Sequence, residues 1–254
     1  IKIKLRFKTP KQNKKTYIMH TTKKLLSLLF ILMITLSSLG QDLIITAVYD
    51  AGLSGGTPKG LELYASDDIA DLSAYGLGSA NNGGGTDGEE FTFPAVNLNS
   101  GTYIYVSSES TQFNNFFGFS PDYTTGAMAI NGDDAVELFY NGSVVDIYGV
   151  INTIGDGEVW DYTDGWAYRN DSTGPDGSTF SSGSWTYSGI NVYDGETTNA
   201  GATPSMPIGT FTVDLCQNDT TPPSITCPAD ITTSNDTGDC SAVVTYTTPV
   251  GTDN

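Results

Sequence analysis

Acidic loops rich in glycine and asparagine are the residues of this sequence best suited to chemistry, because carboxylate and carbonyl oxygens on flexible loops are the ligands that calcium takes. None of them has the D-x-[DN]-x-[DN]-G frame of an EF-hand loop, and turn formation alone explains the same residue types. Both interpretations stay open. If a metal binds, we expect calcium at Asp133 and Asp134. The loops are Asp87–Glu90, Asn131–Asp134, Asp156–Glu158, Asp161 with Asp164, and Asn170–Asp171 with Asp176.

Catalysis by an imidazole is excluded for the chain beyond residue 40, because its one histidine is His20. Ser-His-Asp, Cys-His and His-metal sites all need that ring. Lys59 has no GK[ST] context that would make it part of a phosphate-binding loop. A pair of carboxylates about 5–5.5 Å apart would suit a retaining glycosidase, but nothing singles out one pair. We therefore predict a protein that is not an enzyme, with no cofactor except calcium as the open candidate.

The charges are strongly segregated along the chain. Nine of the 11 Lys and Arg residues lie within residues 1–40, which contain no Asp or Glu. The remaining residues carry all 29 carboxylates against Lys59 and Arg169. Such a surface repels phosphate backbones, so we expect no direct nucleic-acid partner.

Residues 19–40 have the pattern of a secretory signal peptide. Met19 precedes two lysines, an apolar run follows from Leu25 to Ile34, and Ser38–Gly40 offers small residues for cleavage. The alternative, a membrane anchor, needs a longer apolar run. We therefore expect a secreted or cell-surface protein with no transmembrane span in the mature fragment. Residues 1–18 are interpreted as an upstream translated segment that is not native.

The elements that would position these side chains are short strands. Apolar, β-branched and aromatic runs alternate with clusters of Gly, Asn, Asp, Ser and Thr, which is typical of an all-β antiparallel sandwich or barrel. One segment, from about Glu109 to Phe117, is predicted as a short helix. The clearest strands are Leu43–Tyr49, Gly60–Tyr64, Tyr103–Val106 and Glu158–Trp160.

The sharpest local signal is Asn141-Gly142 between two β-rich runs, which predicts a two-residue type I′ hairpin. An uninterrupted ladder from this turn pairs Tyr140 with Ser143. The same register pairs Leu138 with Val145 and Val136 with Ile147 on an apolar face.

On the other face that register sets Glu137 directly against Asp146, and opposed like charges destabilise a ladder. A cation is therefore expected nearby, and Arg169 is the natural candidate. We predict that its guanidinium contacts Glu137, Asp146 or Glu62 as a structural clamp. The alternative is that the carboxylates point into water and Arg169 covers a surface.

Aromatic residues cluster late in this region and admit two interpretations. An exposed platform would bind glycans by stacking, whereas buried rings would form the core of the sandwich. The spacing of Trp166 with Tyr168 and of Trp185 with Tyr187 has the strand period of two and favours core.

Several of these motifs together resemble a known family. The run Asn131–Asp146 resembles the central motif of bacterial lamin-tail-like domains, and Asp164–Arg169 resembles a later motif of the secreted marine Bacteroidetes members. The strands Leu43–Tyr49 and Lys59–Tyr64 are similar to the first two of that family. The resemblance covers residues 41–213 and implies an immunoglobulin-like β-sandwich.

A second resemblance follows the linker at residues 214–222. Residues 223–254 resemble the opening of a hyalin-repeat module, which implies a second, incomplete immunoglobulin-like unit associated with extracellular adhesion. In that pattern Cys227 and Cys240 pair with cysteines further along, so the resemblance implies no bond between them. Cys216 has no evident partner.

Together these features predict a non-catalytic extracellular binding or spacer module of a multi-domain secreted or surface protein that serves in adhesion. Its ligand would be an extracellular protein or glycan. The alternative is an accessory N-terminal domain of a secreted nuclease or phosphatase whose catalytic domain follows.

Overall fold

The computed structural model describes residues 41–213 continuously and, beyond them, residues 224–225, 231–234, 237, 244–245 and 251–252. The predicted upstream segment 1–18, signal peptide 19–40 and linker 214–222 lie outside the described residues. So do the three cysteines and most of the hyalin-like module 223–254. The chain divides into two compact units, Ile1–Phe211 and Thr212–Asn254.

Short strands and a single short α-helix make up the described part of the first unit. The helix α1, Thr111–Phe117, falls within the segment predicted to be helical. In the second unit β11, Ser224–Ile225, pairs antiparallel with β12, Gly251–Thr252. The strands of the first unit are β1 Leu43–Leu53, β2 Thr57–Ala65, β3 Tyr75–Ala80, β4 Phe91–Thr92, β5 Tyr103–Ser107, β6 Tyr123–Thr124, β7 Ala135–Tyr140, β8 Ser143–Tyr148, β9 Trp166–Arg169 and β10 Trp185–Tyr187. Short 3-10 turns occur at Leu72–Ala74, Asn81–Gly83, Gly126–Met128, Ser182–Ser184 and Asn199–Gly201.

The strands of the first unit form two sheets that pack face to face, so the predicted all-β sandwich is confirmed at this level. The larger sheet has the order β10-β9-β1-β2-β5-β6 and the smaller one β4-β3-β7-β8. Neighbours run antiparallel except β5 and β6, which are parallel. Among the described helices, none is long and apolar enough to cross a membrane.

Alternation along the strands determines which side chains lie between the sheets. Leu61 and Leu63 of β2 belong to the same buried cluster as Leu77 of β3 and Leu138 of β7. The outer face of the larger sheet is also covered. There Phe113 of α1 contacts Tyr49, with ring centroids 6.0 Å apart.

The late aromatic residues are mostly buried, but only Trp160 and Trp185 belong to the core cluster between the sheets, and Trp166 and Tyr168 lie on the outer face of the larger sheet. Trp160, Trp166, Tyr168 and Trp185 are each at most 5% exposed. Their rings add large apolar areas to the interior.

The hairpin turn forms at Asn141-Gly142, but the register predicted beyond it is wrong. Asn141 and Gly142 have φ values of 48° and 75°, as a type I′ turn requires, and Tyr140 pairs with Ser143. A bulge then leaves Val145 without a partner, so that Leu138 pairs with Asp146, Glu137 with Ile147 and Val136 with Tyr148.

The expected opposition of Glu137 and Asp146 therefore does not occur. The bulge turns Asp146 toward the interior, where it contacts β1 and β9. The physical reason is that a single extra residue reverses which face each later side chain occupies.

Candidate functional site

Arg169, at the end of β9, is buried between the sheets with 1% of its surface exposed. Its Nη2 donates to both carboxylate oxygens of Asp146, at 2.8 and 2.9 Å. Its Nε donates to the backbone carbonyl of Ile45 at 2.6 Å, and its Nη1 donates to Asp176 at 3.1 Å. The guanidinium carbon lies 4.5 Å from the ring centroid of Trp185. Of the three carboxylates considered from the sequence, Arg169 contacts Asp146 and has no hydrogen bond to Glu137 or Glu62.

The peptide backbone at Ile45 explains why this pair is placed here. β9 pairs with β1 only from Ala47 to Tyr49, so the ladder stops short of Ile45. The Ile45 amide donates to Asp146 Oδ2 at 2.8 Å, while its carbonyl accepts from Arg169. Two backbone groups that would otherwise be buried without partners are therefore satisfied by the ion pair.

Asp146 belongs to β8 of the smaller sheet, whereas Ile45 and Arg169 belong to the larger one. Asp146 also accepts the amides of Ile147 at 3.0 Å and Asp176 at 2.9 Å. The group is thus a structural cross-link between the sheets. A buried ion pair of this kind gives little net stability compared with an apolar replacement, but removing one partner is costly.

Glu137 lies apart from the clamp. It is 2% exposed, and its Oε2 has no hydrogen-bond partner among the described residues. It pairs with Gly78 on β3 and Ile147 on β8. None of the ion pairs between described residues includes Glu137.

Asp134 and Asp133, the residues considered for calcium, differ in their surroundings. Asp134 is 1% exposed, and its two oxygens accept the amides of Asn82 and Asn131, each at 2.7 Å. It therefore ties two loops together. Asp133 is half-buried, and burial followed by the charge of Asp134 raises the pKa of its carboxyl.

No group of three or more His, Cys, Asp or Glu side chains converges as metal ligands within the described residues. Asp161 illustrates the alternative role of such carboxylates. It accepts hydrogen bonds from Gly157 N at 3.0 Å and from Thr163 N at 3.0 Å. Asp134 and Asp161 thus have the turn-closing role of the second interpretation, and calcium binding stays a prediction.

A group that sequence reasoning missed contains Lys59, Asp50 and Asn131. Lys59 Nζ lies 3.5 Å from Asp50 Oδ1 and donates to the side-chain oxygen of Asn131. The amide of Gly132 donates to Asp50 Oδ2 at 2.9 Å. Burial raises the pKa of Asp50, and Lys59 partly offsets that shift. The only signal in the sequence was that Lys59 is one of the two cations beyond residue 40.

Glu62 was considered from the sequence only as a possible contact of Arg169, and its burial was not predicted. It is 0% exposed. Thr46 Oγ1 and Tyr168 Oη donate to its Oε1 at 2.8 and 3.0 Å, and Gly209 N donates to its Oε2 at 2.7 Å. Burial raises the pKa of Glu62 to about 7, although these hydrogen bonds act in the opposite direction.

The first and the last described residues of the first unit lie at the same end of the sandwich. The carbonyl of Asp42 accepts the amide of Ser66 at 2.8 Å, and Ile44 pairs with Tyr64. The ring of Phe211 lies 5.3 Å from that of Tyr64. We call this the entry end, because residues 41–44 and residue 211 meet there.

The opposite end of the sandwich, here the far end, consists of the segments 53–57, 125–134, 149–165 and 188–194. The hydrogen bonds Gly155 N to Asp133 O at 2.8 Å and Asn191 N to Thr163 O at 2.8 Å connect three of them. Four large apolar side chains are exposed on these segments. They are Val150 at 41%, Ile154 at 46%, Val159 at 64% and Ile190 at 55%.

Comparison of the chain with protein-family models, with curated proteins and with solved structures gives no match. The resemblances to lamin-tail-like and hyalin-repeat modules therefore stay proposals that depend on the residues quoted above.

Proposed function

We propose that residues 41–213 form an extracellular, non-catalytic binding module of the lamin-tail-like, immunoglobulin-like type, carried by a secreted or cell-surface adhesion protein. The observation that carries this proposal is that the first residues of the module, 41–44, and residue 211 lie at the same end of the sandwich. A module attached at one end leaves its far end free for a partner.

The composition of the far end supports binding rather than reaction. Its exposed aliphatic side chains suit contact with a partner, since exposed apolar groups on loops are common at interaction sites. Catalysis by the two cations is disfavoured, because Arg169 is buried in the clamp and Lys59 is paired with Asp50. A glycan or protein ligand is consistent with these features, and a nucleic acid is not, given the surplus of carboxylates.

The test presents the chain from Gln41 to Asn254, tethered through its C terminus, to arrays of immobilised glycans and extracellular proteins. We expect binding to at least one probe that is lost in a Val159→Asp, Ile190→Asp double variant. The matched control is Val96→Asp. Val96 is 41% exposed and lies beside Leu72, away from the far end.

Three outcomes contradict the proposal. Binding that survives the far-end variant but is lost in the Val96 variant places the surface elsewhere. If a correctly folded chain binds no probe on either array, the module does not bind these ligand classes. Turnover of a chromogenic glycoside or phosphoester by the purified chain removes the non-catalytic assignment.

A further inference from the structure

The last part of the first unit, residues 202–211, crosses the outer face of the larger sheet, and we call it the exit segment. Met206 and Phe211 are 2% and 0% exposed. Trp166 Nε1 donates to the carbonyl of Pro204 at 3.1 Å, and Tyr103 Oη donates to the carbonyl of Phe211. The segment therefore covers side chains that would otherwise be a solvent-facing surface of the sheet.

Three consecutive amides of the exit segment are held by only two side chains. Gly209 N donates to Glu62 Oε2 at 2.7 Å. Thr210 N and Phe211 N both donate to Tyr168 Oη, at 3.0 and 2.9 Å, and that hydroxyl donates to Glu62 Oε1 at 3.0 Å. Glu62 is thus the group on which the docking of residues 209–211 converges.

No cation faces Glu62 among the described residues. The titratable groups around it are phenols: Tyr49 from β1, Tyr103 and Tyr105 from β5, and Tyr168 from β9. The exit segment has no ionisable side chain. An ionised carboxylate here is screened by hydrogen bonds alone, which is unfavourable in a buried site.

The neutral acid, in contrast, fits the geometry. Thr46 Oγ1 lies 2.8 Å from Glu62 Oε1 and 3.2 Å from the backbone carbonyl of Glu62. A protonated carboxyl can donate to this hydroxyl, which then donates its own proton to the carbonyl. The bonds from Gly209 and Tyr168 are kept in either state.

We propose that Glu62 is a proton-controlled latch for the exit segment. When Glu62 is protonated, residues 209–211 are held against the sheet. When it is ionised and solvent can reach it, the segment is released. Release of these three residues would lengthen the tether to the following part of the chain by up to about 10 Å.

The direction of the effect follows from proton linkage. The folded-state pKa of Glu62, about 7, is above the model value of 4.5, so the docked state binds the proton more tightly. Its stabilisation is fully present below about 4.5 and is lost as the pH rises through about 7. The docking equilibrium should fall about tenfold per pH unit between these values, and by at most about 300-fold in all.

Hydrogen exchange followed by NMR on the chain from Gln41 to Asn254 tests this directly. We expect protection of the Gly209, Thr210 and Phe211 amides, corrected for intrinsic exchange, to decrease from pH 5 to pH 7 and to level off near pH 8. Reference amides are those of Ile69 and Tyr162, which donate to Leu98 and Gly132. Their protection should stay constant over the same range.

Three variants separate the latch from general stability. Glu62→Gln should make protection at residues 209–211 independent of pH. Tyr168→Phe should lower protection of Thr210 and Phe211 at every pH while Gly209 keeps its pH dependence, which also covers the case in which Glu62→Gln fails to fold. Asp122→Asn removes an exposed carboxylate that accepts the Tyr105 amide, and it should behave as wild type.

Protection that does not change with pH in the wild-type chain overturns the proposal. So does a parallel decrease at the reference amides, because the effect would then belong to the whole domain. A pH dependence that persists in Glu62→Gln assigns the proton to another group.

Discussion

Arg169 and Asp146 meet between the two sheets at 2.8 Å, and neither side chain has any exposed surface. Within the described residues this is the one ion pair that joins a strand of the larger sheet to a strand of the smaller one. Both partners also bind the backbone of Ile45, so the pair fixes the position of β1 as well.

Replacing either member of this pair should be among the most damaging single changes in the domain. Arg169→Met leaves Asp146 charged and buried, and we expect it to lower the free energy of unfolding by about 3–5 kcal/mol. Arg169→Lys keeps the charge but cannot bind Ile45, Asp146 and Asp176 together, so its effect should be intermediate. Urea unfolding of the chain from Gln41 measures both.

The matched control is Lys59→Met, which removes the other cation beyond residue 40 from a less buried pair. Its cost should be about 1 kcal/mol or less. Arg169→Met combined with Asp146→Asn should cost less than the sum of the single variants, because the two groups are in contact. An Arg169→Met variant as stable as Lys59→Met would show that the clamp contributes nothing.

Gly174 lies against the guanidinium of Arg169, so we expect it to be a second position at which substitution lowers stability. Its φ is +78°, and a Cβ atom there would come within 2.2 Å of Nη1 and 2.6 Å of Cζ. Gly174→Ala should therefore displace the guanidinium in addition to straining the backbone. Gly177 is the control, because its φ is +68° and a Cβ atom there would have no neighbour within 4 Å. The Gly177→Ala variant therefore measures the cost of the backbone strain alone.

We expect Gly177→Ala to cost about 1–2 kcal/mol, the penalty of left-handed backbone for an L residue. Gly174→Ala should cost about 1–3 kcal/mol more, as overpacking does. Thermal unfolding of the two variants side by side gives the difference. Equal melting temperatures would mean that the guanidinium moves aside freely.

The hairpin turn gives a third prediction. Gly142→Ala places a Cβ at φ 75°, and Asn141→Ala removes the side chain that tolerates φ 48°. Each should cost about 1–2 kcal/mol, which lowers the melting temperature by about 2–8 °C in a domain of this size. Asn141→Gly should be close to neutral.

The control for this prediction is Gly126→Ala. That glycine is not in left-handed backbone, and a Cβ would meet nothing within 4 Å. If Gly142→Ala lowers the melting temperature no more than Gly126→Ala does, the turn must change its conformation to accept alanine.

The same hairpin shows how far the sequence determines this fold. Asn141-Gly142 acts through local backbone preference, so the turn could be predicted. The bulge at Val145 could not, because its cause is distant in sequence: Asp146 turns inward to bind Ile45 and Arg169. The burial of Glu62 was missed for a similar reason. The pattern Leu61-Glu62-Leu63 gives the correct face, but the exit segment that covers this face follows about 140 residues later.

Asp134 and Asp133 carry the last prediction, because they separate turn closure from metal binding. Asp134→Asn replaces one acceptor oxygen by an amide that faces the backbone N–H of Asn82 or Asn131. We expect it to lower the free energy of unfolding by at least about 1–3 kcal/mol. Asp133→Asn should be neutral or slightly stabilising at pH 7, by less than about 1 kcal/mol.

The raised pKa of Asp133 determines how its effect on stability changes with pH. Its folded-state pKa is raised, so the contribution of its carboxyl is most favourable when protonated and is lost as the pH rises through that pKa. The difference between Asp133→Asn and wild type should therefore vanish near pH 3 and appear at neutral pH. Millimolar calcium should not change the difference in melting temperature between either variant and the wild type. A calcium-dependent rise in the wild type that is absent from Asp133→Asn would instead make Asp133 a ligand, and the turn interpretation of this loop would be wrong.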